Sequence, residues 1–373
     1  MQQSGIKKLR VGYILLVIFF FCAFALLTHP TQAANTVSTT ITVGNEPDSV
    51  AIAPNSLHAY VGHYVNGSMS VIDLSTSSIT AEVPLGSHPG DVTVTPNGLY
   101  VYATNSGSNS VSVISTTSNS LIATIPVGSY PVGVAITPDG KYVYIANEVS
   151  NSVSVINTAT NSVTTTILGL SDAWGVAIAH NGAYVYVTDA GSRSVSVINT
   201  ASNTVTATIT VGTEPFGVAI TPNGKNVYVV NNINDSVSVI NTTTNTVTAT
   251  IIVGRGPGNV AVTPDGKYAY VTNEFSQSLS VIDTATNEVT ATVNLKGNPD
   301  AITVAPNGSH VYVTIGNSGT VVVIDTATEP ATNGLISALD LAILVIVIVV
   351  VVFLIVIALY RNSKRRTILS QAT

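Results

Sequence analysis

Thr137-Pro138-Asp139-Gly140-Lys141-Tyr142-Val143-Tyr144-Ile145-Ala146-Asn147 decides the fold, because its turn returns along the chain at a single spacing. The copies stand at Pro54-Asn55-Ser56, Pro96-Asn97-Gly98, Pro138-Asp139-Gly140, His180-Asn181-Gly182, Pro222-Asn223-Gly224, Pro264-Asp265-Gly266 and Pro306-Asn307-Gly308. Each begins 42 residues after the last. Seven copies without an insertion imply equal, stacked units, and about 40 to 45 residues is the size of a propeller blade.

Each unit contains four short apolar runs. In the third unit these are Gly133 to Thr137, Tyr142 to Ala146, Val153 to Asn157 and Val163 to Leu168. Proline presets φ at the second turn position and glycine supplies the left-handed one, so the first two runs form a hairpin. Alternating Tyr with Val or Ile suits a strand packed between neighbouring sheets. The seventh unit has only three runs, Ala301 to Ala305, Val311 to Ile315 and Thr320 to Asp325. A lone strand at Val37 to Val43 matches the missing fourth. The expectation is therefore an all-β, seven-bladed propeller over residues 37–326, its ring closed by the N-terminal strand as the outer strand of the last blade.

Both ends read differently. Lys7, Lys8 and Arg10 precede an apolar run from Val11 to Leu27, and Thr31-Gln32-Ala33 offers small residues for cleavage, which predicts a signal peptide over 1–33. A retained anchor is the alternative. After a short stalk at 327–340, Leu341 to Tyr360 predicts a transmembrane helix, and Arg361, Lys364, Arg365 and Arg366 hold the tail at 361–373 in the cytoplasm. The propeller is then outside a single-pass cell-membrane protein.

Between the ends lie six basic and 18 acidic residues, about −12 in all, which argues against a nucleic-acid partner. The only cysteine, Cys22, lies in the first apolar run, so the repeats have no disulfide, no thiolate metal site and no Cys-x-x-Cys-His for haem. No Gly-x-Ser-x-Gly occurs either.

The Tyr-Val-Thr-Asn-like segments Tyr102-Ala103-Thr104-Asn105, Tyr144-Ile145-Ala146-Asn147 and Tyr270-Val271-Thr272-Asn273, with the Pro-Asp-Gly-Lys-Tyr turns, resemble the YVTN family of β-propeller repeats. That resemblance implies the propeller fold and kinship with surface-layer-type cell-surface proteins of archaea. Related propellers also include lactonases and haem enzymes, so it leaves activity open. The chain departs from the pattern at His180, Ser56, His63, Asp189 and Ile315.

Repeat registration also predicts which residues ring one end of the channel. Those before the turn into each first strand are Glu46, His88, Tyr130, Asp172, Glu214, Gly256 and Asn298; two positions on stand Asp48, Gly90, Val132, Trp174, Phe216, Gly258 and Asp300. One arc gathers Asp300, Glu46, Asp48, His88, Asp91 and His63, the other Tyr130, Trp174 and Phe216. An aromatic arc facing an acidic one suits a ligand with polar and apolar faces, a glycan or a protein. The plain alternative is that Trp174 and Phe216 plug the mouth while the acids are solvated. Hard oxygen donors in the acidic arc would take calcium if any metal. Gly254-Arg255-Gly256-Pro257-Gly258 looks like a phosphate loop, yet no helix follows it, and a turn is expected. Asn66, Asn234, Asn241 and Asn307 are glycosylation sequons. The expected function is a non-catalytic binding or structural module of the cell surface; the alternative is a lactonase-like hydrolase using the acidic arc.

Overall fold

The computed structural model describes residues 35–326. The signal peptide, stalk, membrane helix and tail expected at 1–33 and 327–373 lie outside the described residues. Among the described residues no helix is long and apolar enough to cross a membrane.

Seven antiparallel sheets of four strands each follow one another along the chain. In the third blade the strands are Pro131–Ile136, Tyr142–Asn147, Ser152–Asn157 and Ser162–Leu168, innermost to outermost, within two residues of their sequence-based bounds. Neighbouring inner strands pack against one another around the ring, including Pro47–Ile52 of the first blade against Pro299–Val304 of the last. Thr36–Thr42 completes the last sheet by pairing antiparallel with Thr320–Asp325, Ile41 opposite Val321. The ring thus closes as the strand count predicts, and no inner blade is left without a neighbour.

The middle strands show why the sequence alternates as it does. Val143, Ile145, Val153, Val155 and Ile156 are fully buried, because both sides of a middle strand face another sheet. Tyr144, Val153, Val155, Val185, Val187 and Ile198 form one cluster spanning the third and fourth blades. Truncating one such side chain, as in Ile156→Ala, costs about 2 to 5 kcal/mol. Outer strands carry Thr and Ser instead and stay largely exposed. At the turns Thr137 Oγ1 donates to Asp139 Oδ1 and Gly140 takes φ 71°; Ser56 holds the same left-handed position at φ 57° without being glycine.

Candidate functional site at the channel mouth

Every loop into an inner strand opens on one face, beside the loop from the second to the third strand of the same blade. Backbone bonds fasten the two: Glu148 N donates to Tyr130 O at 3.0 Å, and Glu274 N to Gly256 O at 2.9 Å. The threonine of the Tyr-Val-Thr-Asn segment then fixes the inner strands. Thr188 Oγ1 accepts from Gly175 N of its own blade and donates to Phe216 O of the next at 2.8 Å, and Thr104 Oγ1 does the same between Asp91 N and Val132 O. Side chains at the mouth are therefore held by a stiff collar.

On one side of this collar Asp48 and Asp300, from the first and last blades, hydrogen-bond to each other. Burial raises both carboxyls above their ordinary range; Glu46 adds to the rise at Asp48, and Asp48 and Glu274 to the rise at Asp300. Like charges so close cannot both ionise cheaply, which adds to the upward shift that burial imposes. With Glu46, Tyr64, Glu274, Asn298 and Asn317 the pair lines a cavity of about 340 Å³. Half a turn round the ring, Trp174 and Phe216 stack with centroids 4.7 Å apart and planes at 30°. Each ring gives a face to the other, which favours the plug over a sugar platform.

The structure brings some expected residues together and sends others away. Tyr64 leans across two blades, stacking on His88 at 4.7 Å and placing its hydroxyl 3.4 Å from that of Tyr130. That contact is the first cause pushing its phenol up to about 12. Asp91 bridges inner strands, accepting from Val92 N at 2.8 Å and Val134 N at 3.2 Å, and burial pushes it up to about 6.

His63 is a correction. It does not line the mouth but is buried between the second and third strands of its blade, its ring 2.7 Å from Ser70 Oγ. Ser70 Oγ also lies 2.7 Å from Glu82 Oε1, so one hydroxyl links the His63 ring to a carboxylate. Four other blades place an asparagine there: Asn105 Nδ2 donates to Ser110 and Ser112, and Asn105 Oδ1 accepts from Gly86 N.

Tyr64 and Glu274 are the residues that sequence reasoning missed. Both occupy the position after the Tyr-Val-Thr-Asn segment, and reading that position round the seven repeats would have found them. The Gly254–Gly258 stretch is the expected turn: Gly256 takes φ 63° and Pro257 opens a strand. Asn66, Asn234 and Asn307 are exposed, whereas Asn241 is half-buried with Oδ1 capping its own turn. Among the described residues no group of three or more His, Cys, Asp or Glu side chains is arranged to hold a metal.

The family profile described as a YNCE-like beta-propeller matches residues 37–223 and 219–326. The chain belongs to that family. No curated protein matches it. Among solved structures, the YNCE-like propeller is similar to one titled Kuenenia stuttgartiensis Hydrazine Synthase, with a TM-score of 0.70, 24% identity, and coverage of 78% of this chain and 99% of that one. At that identity the likeness carries the fold alone, and 1650 solved chains match, so the shape does not choose an activity.

Proposed function

We propose that the chain is a membrane-anchored, extracytoplasmic propeller that binds a cell-surface partner through its mouth face without catalysis. The observation that carries this reading is the acidic cavity, whose two innermost carboxyls satisfy each other while Glu46, Glu274 and Tyr64 form its wall. Such a cup suits recognition of a cationic group. The stacking of Trp174 on Phe216 favours a protein over a glycan partner. The basic-flanked apolar segments at both ends support the outside location, and one anchored propeller suits an accessory surface protein of surface-layer type better than a lattice subunit.

Single-cysteine variants test the location. In a Cys22→Ala background, cysteine replacing Asn66 should react with a membrane-impermeant maleimide on intact cells, and cysteine replacing Ser370 only after lysis. The reverse pattern overturns the reading. A lactonase-like hydrolase is the second reading, favoured by the neighbouring, buried carboxyls of Asp48 and Asp300, since a carboxyl pair can act as acid and base. Turnover of a chromogenic lactone that Asp300→Asn abolishes would select it.

A further inference from the structure

Val65, Val149, Ile233 and Phe275 are 58 to 64% exposed, and all four sit at the same repeat position, the tip of the loop between second and third strands. Leu168 and Ile252, the last residues of two outer strands, are more exposed still on the same face. The Phe275 tip is held rather than loose. Phe275 N bonds to Arg255 O, and the ring lies over Gly256, where a Cβ would come within 2.6 Å of it. In two other blades the exchange is inverted: Gly107 and Gly191 leave room at the tip for His88 and Asp172. A soluble protein does not ordinarily spread large aliphatic and aromatic side chains round one rim unless something covers them.

The cup opens on the same face, among the sixth, last and first blades. Its walls carry Glu46, Asp48, Glu274 and Asp300, and no lysine or arginine lines it. Charge therefore calls for a cation in the cup, and the apolar tips call for apolar contact beside it, the arrangement of a buried anchor flanked by water-excluding contacts.

Resting on the binding reading above, we infer that the mouth face docks a polypeptide segment that inserts a lysine or arginine into the Asp48–Asp300 cup and seats flanking apolar residues on the crown. A small organic cation would fill the cup but leave the crown uncovered. An anionic lipid surface would be repelled by the same carboxylates.

The test is a selection of random twelve-residue peptides displayed on phage, against the full-length protein in phosphatidylcholine nanodiscs. Enriched peptides should carry a basic residue flanked by Leu, Ile or Phe. Synthetic copies should bind the Asp48→Asn/Asp300→Asn variant and, separately, the Ile233→Ser/Phe275→Ser variant about tenfold more weakly or worse, with melting curves confirming that both variants fold. Failure to enrich any peptide, or enriched peptides without a basic residue, would overturn the inference. Peptides that need the cup but not the crown would also overturn it, while leaving the binding reading in place. Peptides that bind both variants as well as the parent would remove both.

Discussion

The hydroxyl of Tyr270 donates to Asn35 Oδ1 at 2.6 Å, joining residues 235 positions apart across the seam of the ring. The same bond recurs where the chain is continuous: Tyr102 to Asn161, Tyr144 to Asn203 and Tyr228 to Asn287, each at 2.7 or 2.8 Å. In every case a second-strand tyrosine reaches the hairpin asparagine of the following blade. The last blade has no such hairpin, and Asn35, at φ 63°, takes the hairpin position at the start of the closing strand.

Replacing Asn35 by Ala should therefore destabilise the domain by about 1.5 to 2.5 kcal/mol. The lost hydrogen bond accounts for about 1 kcal/mol and alanine in a left-handed conformation for the rest. Asn35→Gly, which keeps the conformation, should cost about 1 kcal/mol. Urea midpoints decide it, and equal midpoints for parent and both variants would mean the seam bond contributes nothing.

Much of this was legible in advance. Asn35-Thr36-Val37-Ser38-Thr39-Thr40-Ile41 nearly repeats Asn203-Thr204-Val205-Thr206-Ala207-Thr208-Ile209, so both the closing strand and its left-handed asparagine could be placed from register. Side-chain direction was harder. Along a strand, successive residues point to opposite sides, and a position near the mouth in sequence is not thereby aimed at it. His63 turns inward for that reason, and Asp91 bonds to the backbone of the next inner strand. Tyr64 escaped notice because its importance lies in reaching across two blades, which no local pattern encodes.

Asp189 stands where four blades have asparagine, accepting from Ser196 at 2.6 Å, and burial, its largest perturbation, pushes it up to about 6. Its proton is held more tightly in the folded chain than in the unfolded one. The associated stability is fully present below about pH 4 and is lost as pH rises to about 6, remaining absent above. Asp189→Asn should remove that loss and raise stability at pH 7.5 by up to about 2 to 3 kcal/mol. Urea midpoints at pH 4, 5, 6 and 7.5 are the check. Asp91, which shares the shift, leaves a residual slope in the variant.

His63 predicts the opposite slope at the equivalent place. Burial lowers its pKa, against a smaller opposing pull from Glu82. Its neutral form is what the fold accommodates, so its contribution is present above the ordinary histidine range and lost as pH falls through the depressed value. His63→Asn should flatten the acid side of the stability profile, because Gly44, Ser68 and Ser70 repeat the partners that Gly86, Ser110 and Ser112 give Asn105. A steeper acid loss in the variant would contradict this account.

Asp48 and Asp300 add a third titration, at the mouth itself. Both carboxyls are raised, by burial first, so the pair too favours the folded state more at low pH than at neutral pH. Asp300→Asn keeps a donor for Asp48 while removing one of the two like charges. Stability of this variant should exceed that of the parent at pH 7.5 and converge with it near pH 4, as followed by melting temperature.

Gly256 and Phe275 give a coupling that a double-mutant cycle can isolate. A methyl group at position 256 would meet the Phe275 ring at 2.6 Å, and the backbone there, at φ 63°, disfavours any side chain. Gly256→Ala alone should cost about 2 to 3 kcal/mol, the backbone preference supplying about 1 to 2 and the displaced ring the remainder. Since Phe275 is largely exposed, Phe275→Ala alone should cost less than about 1 kcal/mol. In the double variant the clash disappears while the backbone cost persists, so its loss should fall short of the sum by about 1 kcal/mol. Additive losses would show that the ring moves aside freely, and the crown would then lack the fixed geometry that docking on it requires.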